Sequence, residues 1–112
     1  MFSFACPYLR SEVELSEVRE RHIAERHPDF LPLHRDKIGE ALAKPDLVRR
    51  SVRFGNARLF SRWYTGWYTG LRGGKHVVVV VVSELAAGGR HWIITAYMAR
   101  KLAEGETEWK PN

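Results

Sequence analysis

The sequence predicts an α+β domain in which two N-terminal helices pack on a four-stranded antiparallel sheet. Three observations carry that expectation: six consecutive valines, Val77 to Val82; two helical apolar stripes before Pro45; and strand-like runs after it, joined by short turn-forming segments. A β-branched run of that length reads as a strand with both faces dry, since a half-solvated strand alternates, and so it belongs at the centre of the sheet. With 112 residues and 45% apolar content the chain has the size and core content of one domain.

Phe2 to Ala5 and Val13 to Leu15 read as short strands or strand-like arms flanking Pro7. Ser16 is a good N-cap and Glu17 suits the positive end of a helix dipole. Leu15, Val18 and His22 then follow at spacings of three and four, which makes them the expected buried stripe. Pro28 disfavours helical geometry at His27, so this helix should run from Glu17 to Arg26. Phe30, Leu31 and Leu33 form an apolar connection. A second helix is expected from Arg35 to Ala43, burying Ile38, Ala41 and Leu42 and stopped by Pro45.

Ser51 to Phe54 and Arg58 to Tyr64 then read as a hairpin about Gly55-Asn56-Ala57. Gly70 to Gly74 turns into the valine strand, and Ala87 to Arg90 turns into a last strand, His91 to Tyr97. Strict alternation there puts Trp92, Ile94 and Ala96 on one side and Ile93, Thr95 and Tyr97 on the other. Sequential strands with short connections make a four-stranded meander. Ala99 to Ala103 suggests a short helix, and the tail from Glu104 to Asn112 is expected to be loosely held apart from Trp109.

The valine run is far too short to span a bilayer, and the N-terminus lacks a basic segment followed by a long apolar one. The chain thus reads as soluble and cytoplasmic, without a membrane partner. The single cysteine, Cys6, excludes an internal disulfide and Cys-rich zinc patterns, and it reads as a packed residue. His22 and His27 resemble a metal pair only until their spacing is considered: five helical residues set them roughly 140° apart, whereas chelation from one helix needs three or four. No metal and no cofactor are expected.

Charge is distributed unevenly. Of the net +5, the segment Lys44 to Lys75 carries eight basic residues against Asp46 alone, a net +7, and the remainder nets −2. Clustered positive charge attracts polyphosphate or simply solubilises a surface. Here aromatic residues are interleaved with it, in Arg62-Trp63-Tyr64-Thr65-Gly66-Trp67-Tyr68-Thr69-Gly70, and so RNA is the expected partner. Trp63, Tyr64, Trp67 and Tyr68 offer stacking surfaces for unpaired bases and Arg53 and Arg58 offer phosphate contacts; as core or interface aromatics these rings need no ligand.

His22, on the expected buried stripe, reads either as a core histidine satisfied by a backbone carbonyl or Glu25, or as a general acid or base held against a basic sheet. His27 reads as orienting the helix end, and His34, His76 and His91 as solvated. Arg62 and Lys75, on or beside the two middle strands, could neutralise a phosphate during transfer or be plain surface cations. Thr95 and Tyr97 share one face of the last strand.

His22-Ile23-Ala24-Glu25-Arg26-His27-Pro28-Asp29, Lys44-Pro45-Asp46, Lys75-His76 with the valines, and Trp92-Ile93-Ile94-Thr95-Ala96-Tyr97 together resemble the phage-associated barnase/EndoU/colicin/RelE-like nuclease families over about residues 13 to 100. The resemblance implies two helices before a four-stranded antiparallel sheet, and a metal-independent endoribonuclease acting on tRNA or another structured RNA. It further implies that His22 matches the family's helical histidine, Arg62 and Lys75 its basic strand residues and Thr95 its final-strand hydroxyl. The expected reaction is attack by a ribose 2′-hydroxyl on the adjacent phosphorus to give a 2′,3′-cyclic phosphate. His22 would act as acid or base, Arg62 and Lys75 would stabilise the phosphorane, and Thr95 or Tyr97 would position an oxygen. A cognate inhibitor or antitoxin protein would fit a toxin-like enzyme. The alternatives are a non-catalytic RNA-binding module and a homo-oligomer in which a second subunit covers the free face of the valine strand.

Overall fold

A computed structural model describes residues 1–53, 55–65, 74–84, 86, 88–102 and 105–111. Its helices are α1, Glu17–Arg26, and α2, Arg35–Ala43, the ranges that the caps and prolines predict. Ser16 caps α1, its Oγ accepting from the Arg19 amide at 3.1 Å.

The sheet corrects the expected α+β architecture. It has seven strands, β1 Phe2–Cys6, β2 Ser11–Leu15, β3 Leu47–Ser51, β4 Ala57–Thr65, β5 Gly74–Ser83, β6 His91–Ala99 and β7 Gly105–Trp109, in the order β1-β2-β6-β5-β4-β3-β7. Neither the four-stranded count nor the all-antiparallel geometry holds, because β2 runs parallel to β6 through the Glu14 and Trp92 pair. The fold is therefore mostly sheet, with two short helices. The valine strand β5 is fourth of seven, at the centre.

The differences have local causes. Both N-terminal arms pair with each other over five residues, Phe2 opposite Leu15 through Cys6 opposite Ser11, around a 3-10 turn at Pro7–Leu9. The third strand begins at Leu47 and not at Ser51, with Val48 opposite Phe60 on its helix-facing side. Instead of a short helix, β6 continues to Ala99. The tail is not loose: β7 pairs with β3, and Glu108 accepts hydrogen bonds from Tyr8, Arg50 and Arg58 at 2.8, 2.6 and 2.7 Å. Burial alone would raise the Glu108 pKa, but these bonds outweigh it and hold the carboxyl below its usual range.

Both helices lie on one face of the sheet. Ile23 of α1 and Ile38, Ala41 and Leu42 of α2 join a fully buried cluster with Val48, Phe60, Val77, Val79, Val81, Ile93 and Ala96. Cys6 packs at its margin, its thiol pKa raised by burial. The odd-numbered valines thus face the helices, and Val78, Val80 and Val82 face the other way. Among the described residues neither helix contributes to that second face.

Candidate functional site

One departure from ideal strand geometry decides where the chemistry sits. Near the turn, Val81 pairs with Ile93, but Val80 pairs with Thr95, which leaves Ile94 as the extra residue of a β-bulge. Alternation therefore restarts: Ile93, Ala96 and Met98 face the helices, whereas Trp92, Thr95 and Tyr97 face the second side. The strict alternation expected from the sequence does not hold. Without the bulge Thr95 would lie opposite Val79, and Thr95 and Tyr97 would share the helix-facing side with Arg62 and Lys75.

The bulge faces α1. The helix is turned so that Ile23 is buried and Glu20, Ala24 and His27 are half-buried; Val18 is 74% exposed and His22 is exposed. The expected stripe failed because Leu15 belongs to β2, before the N-cap, so its direction does not carry into the helix. Arg19, His22 and Arg26 instead form a neighbouring stripe at spacings of three and four. With His27 they line an open groove of about 490 Å³ against Ile94 and Thr95. His27 is the C-cap, with φ −131° and ψ 66°, so its departure from helical geometry lets it join His22 despite the helical-wheel separation. The residues that line the groove include two arginines, two histidines and a threonine, with no acidic residue among them. Such a set suits an anion that must exchange protons.

His27 links the groove to the second face, its ring lying 5.7 Å from that of Tyr97 at 33°. Burial raises the Tyr97 pKa against the opposing field of Arg49, so the phenol stays protonated. Tyr97 shares a row with Val78, Ser61 and Leu47, and the next row holds Thr95, Val80, Leu59, Arg49 and Thr107. At the far end Trp63 pairs with His76, their ring centroids 4.7 Å apart at 62°. Burial lowers the His76 pKa, Asp46 opposing and Arg49 adding to the effect. Asp46 Oδ2 accepts from the Trp63 amide at 2.6 Å. Gly74 completes the mount: a Cβ there would stand 2.6 Å from the Trp63 ring and 2.2 Å from the Tyr64 carbonyl oxygen.

The sequence-predicted residues therefore divide. His22 and Thr95 both line the groove, Tyr97 adjoins it, and Trp63, 42% exposed, stands on the second face. Arg62 and Lys75 lie on the helix side, opposite Val77 and Tyr64. Arg62 donates to the Lys44 carbonyl at 2.7 Å and lines a separate cavity of about 520 Å³ with Tyr8, Pro45, Asp46 and Trp109. Tyr64 is half-buried and donates to Glu40 at 2.7 Å; burial, then that carboxylate, raises its pKa. Arg58 is held by Glu108, and Arg53 is exposed in the turn after β3. Trp67 and Tyr68 lie outside the described residues.

Three histidines expected to be solvated are half-buried: His34 stacks on Phe30 at 6.4 Å, His76 packs on Trp63, and His91 Nδ1 lies 2.6 Å from Ser83 Oγ. Sequence reasoning missed Arg19 and Arg26, although their spacing from His22 is legible, and assigned His27 only to the helix end.

Among the described residues no cluster of three or more His, Cys, Asp or Glu side chains is arranged to hold a metal, and no helix is long and apolar enough to cross a membrane. Comparison with protein-family models, with curated proteins and with solved structures found no match.

Proposed function

We propose that this protein cleaves RNA in the groove between α1 and β6. The supporting observation is the convergence of Arg19, His22, Arg26, His27 and Thr95 on one open surface. Transesterification of RNA needs a base for the ribose 2′-hydroxyl, an acid for the departing 5′-oxygen and cations at the phosphate; these side chains supply all three. His22, at the exposed side, takes the 2′-proton. The 2′-oxygen forms a bond to phosphorus while the bond from phosphorus to the 5′-oxygen breaks. His27, braced by Tyr97, protonates the leaving oxygen. Arg19 and Arg26 hold the non-bridging oxygens and Thr95 donates to one of them. The products are a 2′,3′-cyclic phosphate and a 5′-hydroxyl end. Arg62 and Lys75 have no part in this scheme, because neither lines the groove.

Wild-type protein incubated with total tRNA and with unstructured RNA should leave 2′,3′-cyclic ends. His22→Gln and His27→Gln should each lower that rate by about 10²–10⁴-fold, with melting temperature and RNA affinity nearly unchanged. The exposed ring of Trp63, 42% accessible, favours a second reading, RNA binding without cleavage. Wild-type protein that binds RNA with salt-dependent affinity but leaves no cyclic ends on any RNA tested would establish that reading instead.

A further inference from the structure

We infer that the groove continues past Arg19 into a second chamber, which seats the base on the 5′ side of the cut and selects bases bearing an exocyclic amino group over uracil; this rests on the cleavage reading above.

The first support is continuity. Arg19 lines both the groove and a cavity of about 360 Å³ whose walls include Glu14, Glu84, Arg90, Trp92 and Ile93. Along β6 the two spaces follow one another, with Trp92 and Ile93 at the cavity and Ile94 and Thr95 at the groove. Arg19, Glu84 and Arg90 are exposed, and Glu14 and Trp92 are half-buried, so the chamber's polar and aromatic walls are within reach of a ligand. Its volume falls within the ~300–1,000 Å³ of ordinary small-ligand sites.

The second support is the change of charge from one space to the next. The groove has no acidic lining residue and suits a phosphate, whereas the chamber sets Glu14 and Glu84 beside Arg19 and Arg90. A carboxylate repels a phosphate but accepts readily from a neutral group that carries N–H donors. Glu14 is committed to Arg90: its Oε2 accepts from Nε at 2.8 Å and its Oε1 from Nη2 at 2.6 Å, which fixes the guanidinium in place. Glu84 Oε1 accepts from the Arg90 amide at 3.2 Å, and one such bond uses only part of a carboxylate's acceptor capacity. Trp92 adds an aromatic wall on which a base can stack. Adenine, cytosine and guanine each offer an amino donor to Glu84 and an acceptor to an arginine; uracil has carbonyl oxygens where the amino group would be, and Glu84 repels them.

The third support is direction. From Arg19, at the chamber, α1 runs through His22 to its C-cap His27, roughly 12 Å further along at 1.5 Å per residue. His22, one turn from Arg19, takes the proton of the attacking 2′-hydroxyl, and His27 serves the departing 5′-oxygen. The attacking ribose therefore lies toward the chamber, and its own base is the one the chamber receives.

The test uses the full chain and an unstructured RNA of even composition, and reads the nucleoside that carries each cyclic phosphate. Ends on adenosine, cytidine and guanosine should each exceed uridine ends by about 5- to 100-fold. Glu84→Gln, whose amide can donate to a uracil oxygen, should remove most of that preference with melting temperature unchanged, since Glu84 is exposed. In wild type, an abasic nucleotide 5′ of the cut should react about 5- to 100-fold more slowly than adenosine there. Cyclic ends spread evenly over the four bases, a preference that follows the base 3′ of the cut, or one untouched by Glu84→Gln would overturn the inference and leave the cleavage reading standing. Failure of the cleavage reading looks different: no RNA would yield cyclic ends at all, and both would fall.

Discussion

Val78 and Val79 are adjacent, identical and fully buried, yet they face two different environments. Val79 lies between Phe60 and Ala96 in the cluster beneath the helices, where every neighbour in its row is apolar. Val78 lies between Ser61 and Tyr97, in a row that holds a hydroxyl and a phenol. One face of the sheet is a core that holds the fold. The other is buried as well at Val78, Ser61 and Arg49, but its buried positions include a hydroxyl and a guanidinium. Burial by itself therefore does not distinguish the two faces; the identity of the buried atoms does.

The sharpest way to break this distinction is truncation. Phe60→Ala should cost about 3–5 kcal/mol of unfolding free energy in a denaturant titration, because helices and sheet close over it from both sides. Trp63→Ala should cost far less than Phe60→Ala. A comparable loss at Trp63 would mean that its ring is as important to folding as that of Phe60. A finer comparison swaps a methyl for a hydroxyl in the same strand. Val79→Thr places an unpaired hydroxyl among apolar groups and should cost about 1–3 kcal/mol. Val78→Thr should cost less than that, since Ser61 lies directly across from it and can share a hydrogen bond. Equal costs would refute the asymmetry of the two faces.

The smallest effect expected is one of pH, with one histidine reporting from each side. Burial lowers the pKa of His76 on the second face and of His34 against Phe30 on the helix side, each from 6.5. The folded state then prefers neutral imidazole, and the unfolded chain binds more protons as acid is added. Their contribution is fully present above pH 6.5 and is lost as pH falls through the folded values. Melting temperature should decline from pH 7.5 to 5.5. His76→Gln and His34→Gln should each remove part of the slope, and a slope untouched by both would place its origin elsewhere. Glu108 acts in a separate window: its carboxyl is held below 4.5, so its contribution is lost only as pH falls below that value.

How much of this was legible varies from residue to residue. The bounds of both helices follow from Ser16, Pro28 and Pro45, and the central strand from the valine run. Of the residues grouped by the family resemblance, His22 and Thr95 line one groove, whereas Arg62 and Lys75 lie on the helix side away from it. His76, read as solvated, forms half of the aromatic pair, because its partner is a residue of another strand.

What the sequence determines by itself is what short-range physics controls: where a helix can start, where proline stops it, and that six β-branched residues prefer an extended strand buried on both sides. The tertiary structure decides what depends on distant partners. The Ile94 bulge is visible only in the pairing of β6 with β5, and that one extra residue exchanges the faces of Thr95 and Tyr97. The rotation of α1 is set by where Ile23 finds a core. The strands at both ends of the sheet form only because β2 meets β6 and β7 meets β3. Those hydrogen bonds join residues tens of positions apart, and no local pattern encodes them.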